Sequence, residues 1–217
     1  MVPGTSPSLG ILTGLAAEAR LVAPLGRVIV GGGGRAGAGF AAEELIRSGV
    51  SALLSFGVAG GISPALPAGR LVVPQAVWVT GRRIDCDRGL IDWLGGATAD
   101  LVADSPEMVT TVSDKNALWR QSGAVAVDLE SGPLALAAEQ AGMPFAVLRA
   151  ICDPADRSLP TVVQAVLGPD GKIRIFNLLQ KLAASPGQIT GIIRLASDAA
   201  RARRSLQSAV IRIQHSK

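Results

Sequence analysis

A chain of 217 residues with 48% apolar and 18% charged residues suits one domain with a sizeable buried core, and its composition excludes a disordered polymer. The net charge is +4, with Arg194, Arg201, Arg203, Arg204, Arg212 and Lys217 crowded near the C-terminus; only 3% of residues are aromatic, so a base-stacking nucleic-acid surface is not expected and the basic run reads as a solvated helix face with at most peripheral membrane contact. The sole histidine is His215, which argues against Ser-His-Asp, Cys-His and the usual zinc sites and leaves carboxylates, arginines, hydroxyls and backbone amides to carry any chemistry.

The elements follow in order. Residues 1–7 read as a loose start, Leu9 to Thr13 as a buried strand, Ala16 to Ala23 as a helix, and Arg27 to Val30 as a second strand. A glycine run fills 31–39, Phe40 to Ser48 reads as an amphipathic helix, and Gly49 as its C-cap. Ala52 to Phe56 is apolar throughout, as in a strand buried on both faces, and a long Gly/Pro loop follows at 57–69. Strands are expected over 71–79, 109–112, 124–127 and 144–151, with 81–107 irregular. Helices are expected over 131–141, 173–183 and 189–210, the last opening a basic tail that runs to 217. Alternation of strands and helices gives the class α/β: one three-layer α/β/α domain over 1–217 with a central mixed sheet.

No signal segment or membrane span is legible, and Cys86 and Cys152 form no framework, so a reducing cytoplasm is expected.

Three loops stand where α/β sheets bind ligands, beyond the carboxyl ends of strands: 31–39, 57–61 and 152–156. The first contains a formal GxGxxG at 32–37. The acidic residue a dinucleotide site needs about 20 positions later is missing, so an anion or ribose loop is preferred to a NAD site or a purely structural turn. Glu130 follows the strand at 124–127 and Asp153 the strand at 144–151. Each also reads as a helix-end or turn acid, so the residues alone support a small-molecule site with two carboxylates and no more.

Two segments carry a resemblance. SFGVAGGISPALPAG (55–69) is similar to the glycine-turn signature of the nucleoside phosphorylase/nucleosidase family, and AVDLESGPLALAAEQAGMPFAVLRAICDPAD (126–156) is similar to that family's block from V-E-M-E to R-A-I-S-D. ILTGLAAEARLV (11–22) matches the first strand and turn more loosely. GLAAEA, the glycine run and AVDLES most resemble the hopanoid-associated phosphorylases.

The resemblance implies cleavage of the N-glycosidic bond of a purine nucleoside, with release of adenine from adenosylhopane by phosphorolysis as the specific expectation. Hydrolysis of the methylthioadenosine/S-adenosylhomocysteine type, or non-catalytic nucleoside binding, are the alternatives. It implies Asp153 as the acid that protonates purine N7 and Glu18 as a water-activating carboxylate. Glu130 falls on the ribose hydroxyls, Leu129 under the sugar, and Gly57, Val58, Ala59 and Gly60 in the turn beside base and ribose. No metal or organic cofactor is implied, inorganic phosphate would be the co-substrate, and a homo-oligomer is usual. Val58 replaces the family's hydroxyl and Ser55 the phosphorylases' arginine, so a phosphate site would have to draw on Gly33, Gly34, Arg35 and Arg20.

Overall fold

The computed structural model describes residues 8–159 and 189–215; the helix expected at 173–183 lies outside them. Among the described residues the elements are β1 (Leu9–Thr13), α1 (Ala16–Val22), a 3₁₀ turn (Ala23–Leu25), β2 (Arg27–Val30), α2 (Arg35–Arg47) and β3 (Ala52–Gly61). They continue with β4 (Leu71–Val72), β5 (Pro74–Val79), β6 (Arg82–Asp85), α3 (Arg88–Trp93) and β7 (Ala99–Asp104). The remainder are α4 (Val112–Ser122), β8 (Ala126–Asp128), α5 (Ser131–Ala141), β9 (Phe145–Asp153) and α6 (Ile189–His215).

The nine strands among the described residues join one mixed sheet, with the path β2-β1-β3-β8-β7-β5-β6 and β9 paired to β3 and β4. β3 pairs parallel with β1 over Ala52 to Ser55 and with β9 over Leu53 to Gly60, and its last two glycines pair antiparallel with Val127 and Ala126 of β8. The central strands are largely apolar because both faces are covered: Leu53, Leu54, Phe56, Val147, Leu148 and Ile151 are all buried. α2 packs on α5, and α6 packs on β9 and α1 through Ala202, Leu206, Ala209 and Val210. The α/β class and the central mixed sheet flanked by helices agree with the expectation.

Several local readings are corrected. α2 starts at Arg35, not at Phe40; Gly34 is its extended N-cap, and the Cβ that any other residue would place at Gly37 lies 1.9 Å from the Gly31 carbonyl oxygen, so the helix packs too closely on its own loop to admit a side chain. The glycines at 57, 60 and 61 do not break β3, which runs on to Gly61 with a bulge at Ala59/Gly60 because β9 supplies a parallel partner from Leu53 to Gly60 and β8 an antiparallel one at Gly60 and Gly61. The region 81–107 is not irregular but holds β6, α3 and β7. No strand occupies 109–112: Thr111 instead caps α4, its hydroxyl accepting the Asp114 N–H at 3.1 Å.

Candidate active site

The carboxyl ends of β1, β3, β8 and β9 meet at a cavity of about 480 Å³, within the range of small-molecule sites. Its polar wall is built from Glu18 on α1, Asp128 at the end of β8, Glu130 just after it, and Asp153 at the end of β9. Val58, Ala59 and Gly60 of β3, Leu129 and Cys152 complete that end. Leu21, Val109, Leu159, Leu195 and Leu206 make most of the rest apolar, with Glu107 and Arg203 the other charged residues of the lining.

Glu18 is buried. One carboxylate oxygen accepts the Leu15 N–H and the other the Val58 N–H, each at 2.9 Å, so α1 is tied to β3 through this side chain. Burial raises its pKa against the opposing charge of Arg149. Glu130 lies beside it, pushed up to about 7 by burial, with Arg149 opposing the shift and Asp128 and Glu18 adding to it.

Arg149, on β9, was assigned no role from sequence, yet it organises this wall. Its guanidinium is fully buried; Nε donates to Asp128 Oδ2 at 2.6 Å, and Nη2 donates to the Ser55 hydroxyl at 2.6 Å, the Ser131 hydroxyl at 3.1 Å and Glu130 Oε2 at 3.4 Å. Two glycines make room for the group. A Cβ on Gly57 would lie 2.6 Å from Arg149 Nη1 and 2.8 Å from Glu18 Oε1, and one on Gly14 would lie 2.6 Å from Glu130 Oε1. Ser55, which stands where an anchoring arginine was missed, is therefore reached by an arginine from the neighbouring strand.

Asp153 is buried at the other side of the polar wall. Burial raises its pKa, while Lys115 and Arg157 oppose the shift. The neighbouring Cys152 thiol is pushed up to about 12 by burial and stays neutral, so it offers no thiolate to a substrate.

The four residues named for phosphate do not assemble. Gly33 lines the cavity, but Gly34, Arg35 and Arg20 do not. Arg35 is ion-paired with the buried Asp104, and Arg20 is exposed. Among the described residues no group of three His, Cys, Asp or Glu side chains is arranged to hold a metal ion, and no helix is long and apolar enough to cross a membrane.

Residues 96–167, from α3's end through β7, α4, β8, α5 and β9, match the model of the phosphorylase superfamily. No curated protein matches the chain in sequence. Among solved structures, the S-adenosylhomocysteine nucleosidase of Streptococcus pyogenes in complex with 5-methylthiotubericidin is similar with a TM-score of 0.67 at 17% identity, over 96% of this chain and 98% of that one. The 5'-methylthioadenosine/S-adenosyl homocysteine nucleosidase of Campylobacter jejuni gives 0.63 at 18%, over 81% and 98%. The futalosine hydrolase of Helicobacter pylori gives 0.60 at 18%, over 69% and 89%. At these identities the structures speak for the fold, and the matched segment carries Glu107, Asp128, Glu130 and Asp153, four of the carboxylates that line the cavity. The phosphorylase-superfamily match is to residues 96–167, and the fold is similar to that of these nucleosidases.

Proposed function

We propose that this protein hydrolyses the N-glycosidic bond of a purine nucleoside carrying an apolar 5′ substituent. The observation that carries the reading is the convergence of Glu18, Glu130 and Asp153 on one largely apolar cavity. Cleavage builds positive charge on the ribose and negative charge on the departing base. Asp153, whose raised pKa favours the protonated form, donates its proton to purine N7 so that the base leaves neutral, a step typically worth roughly 10²–10⁴-fold. Glu130 accepts hydrogen bonds from the ribose hydroxyls and stabilises the developing cation, with Leu129 beneath the sugar and residues 57–60 beside the base. Glu18, held by two backbone N–H groups and made more basic by burial, takes the proton from an attacking water.

Water is favoured over phosphate on charge. The cavity lining holds five carboxylates, Glu18, Glu107, Asp128, Glu130 and Asp153, and one arginine, Arg203, while Arg149 and Lys115, which contact these carboxylates, are both already paired. A phosphate dianion entering there meets repulsion at low effective dielectric. Arg35, the cation expected to offset it, is neutralised by Asp104. Phosphorolysis, expected from the subgroup resemblance, lacks this support.

The apolar lining supports the finer reading, adenine release from adenosylhopane. Hydrocarbon buried against Leu21, Val109, Leu159, Leu195 and Leu206 gains about 25 cal/mol per Å². The test is free adenine released from adenosine and from 5′-alkyl adenosines of increasing length. The expected result is release from all, with kcat/KM rising along the series; absence of base release from every purine nucleoside overturns the reading.

A further inference from the structure

Lys115 is a fully buried lysine of α4, and neither its sequence neighbours nor the reaction described above calls for a charge there. Its ammonium has three oxygens within reach. It donates to the Pro154 carbonyl at 2.9 Å and the Arg157 carbonyl at 2.7 Å, and it lies 2.6 Å from Asp153 Oδ2. The same segment is strapped to the start of α4 twice more: the Val112 N–H donates to the Ser158 hydroxyl at 3.2 Å, and the Leu159 N–H to the Thr110 carbonyl at 2.8 Å.

Stability alone does not require this arrangement. Taking an ammonium out of water costs several kcal/mol, and well-packed apolar side chains often replace buried ion pairs without loss. What the charge does is fixed by where it sits, against Oδ2, an oxygen with no directed hydrogen bond in the structure, while no described group donates to Oδ1. The charged groups facing Asp153 are Lys115 from α4, Arg157 from the following loop and Asp198 from α6. Asp198 is itself held by Arg157 at 2.7 Å and Arg201 at 3.0 Å, so Lys115 is the cation whose charge is directed at Asp153.

Resting on the proposed role of Asp153, we propose that Lys115 is its positioning residue: the ammonium holds one carboxylate oxygen, leaves the other to the base, and balances the negative charge left on Asp153 once its proton has passed to N7. In the proton transfer the Asp153 O–H bond breaks, the N7–H bond forms, and the electron pair stays on the carboxylate beside Lys115. That charge exists only after the proton has moved, so Lys115 stabilises the transition state more than bound substrate.

The test measures the Asp153 carboxyl by carbon NMR titration of the free protein, identified by its loss in Asp153→Asn, in wild type, Lys115→Met and Lys115→Gln. Lys115→Gln keeps a donor for the Pro154 and Arg157 carbonyls and serves if the methionine variant does not fold. An opposite charge within hydrogen-bonding distance lowers a carboxyl by about 1–3 pH units, so the midpoint should rise by at least about one unit in either variant. In base release, kcat should fall at least about tenfold with KM little changed, and the high-pH limb should move up in pH, because an acid that must be protonated then keeps its proton longer. A midpoint that does not move in either variant overturns the proposal whether or not a nucleoside is cleaved. A wild type that titrates as expected but releases no base overturns the reading of the reaction instead.

Discussion

Asp153→Asn removes a titratable proton and almost no volume. Its turnover should fall by roughly 10²-fold or more, with an unchanged circular dichroism spectrum and unfolding midpoint close to that of wild type. Near-normal turnover would remove Asp153 from the reaction. Gly57→Ala tests the packing around it. The added methyl would press on both Arg149 and Glu18, so we expect a loss of about 1–3 kcal/mol in stability, together with most activity, read by denaturant unfolding and base release. Full stability would mean that the guanidinium shifts without cost. Glu18, Glu130 and Asp153 were legible because they fall within motifs or at strand ends. Arg149 and Lys115 were not. A lone arginine inside an apolar strand gives no sign of its partners, and Lys115 reaches Asp153 across 38 positions of sequence from a polar helix whose only local signal is its cap. Arg35, expected to serve a phosphate, is instead paired with Asp104, which closes a strand that the sequence pattern does not reveal.

At the scale of elements, α4 carries Lys115 and begins at a threonine whose hydroxyl receives the Asp114 N–H. Thr111→Ala should lower stability by about 1 kcal/mol, measured by urea unfolding. A change indistinguishable from zero would mean that the docking of 158 and 159 holds the helix start without the cap. The β-branched run at 109–112 reads as a strand by propensity, but the cap and the docking of residues 158 and 159 on its start give the helix. β3 escaped in the opposite sense. Glycines at 57, 60 and 61 read as a turn, yet a strand paired on both sides tolerates them, and Gly57 is needed because two charged side chains fill the space above it. The long apolar runs of β1, β3 and β9 and the helices α1, α5 and α6 were legible because burial on both faces, or on one stripe, writes itself directly into the pattern.

For the whole molecule, burying Glu18, Glu130 and Asp153 in one site costs stability that depends on pH. Each has a pKa raised on folding, Glu130 to about 7. The folded protein therefore holds protons that the unfolded chain releases, and this contribution is fully present below the unfolded carboxylate values and lost as pH rises through the folded ones. Thermal unfolding should show declining stability from about pH 5 to pH 8, and Glu130→Gln should flatten the decline. An identical slope in that variant would mean that Glu130 is ionised throughout. On the proposed reading, the same excess of carboxylates around the cavity favours water over phosphate. The decisive measurement follows adenine and the sugar product from a 5′-alkyl adenosine, with phosphate present and with phosphate removed. The account predicts free adenine and an unphosphorylated sugar at the same rate in both; a phosphate requirement with a sugar 1-phosphate product, or no adenine at all, would contradict it.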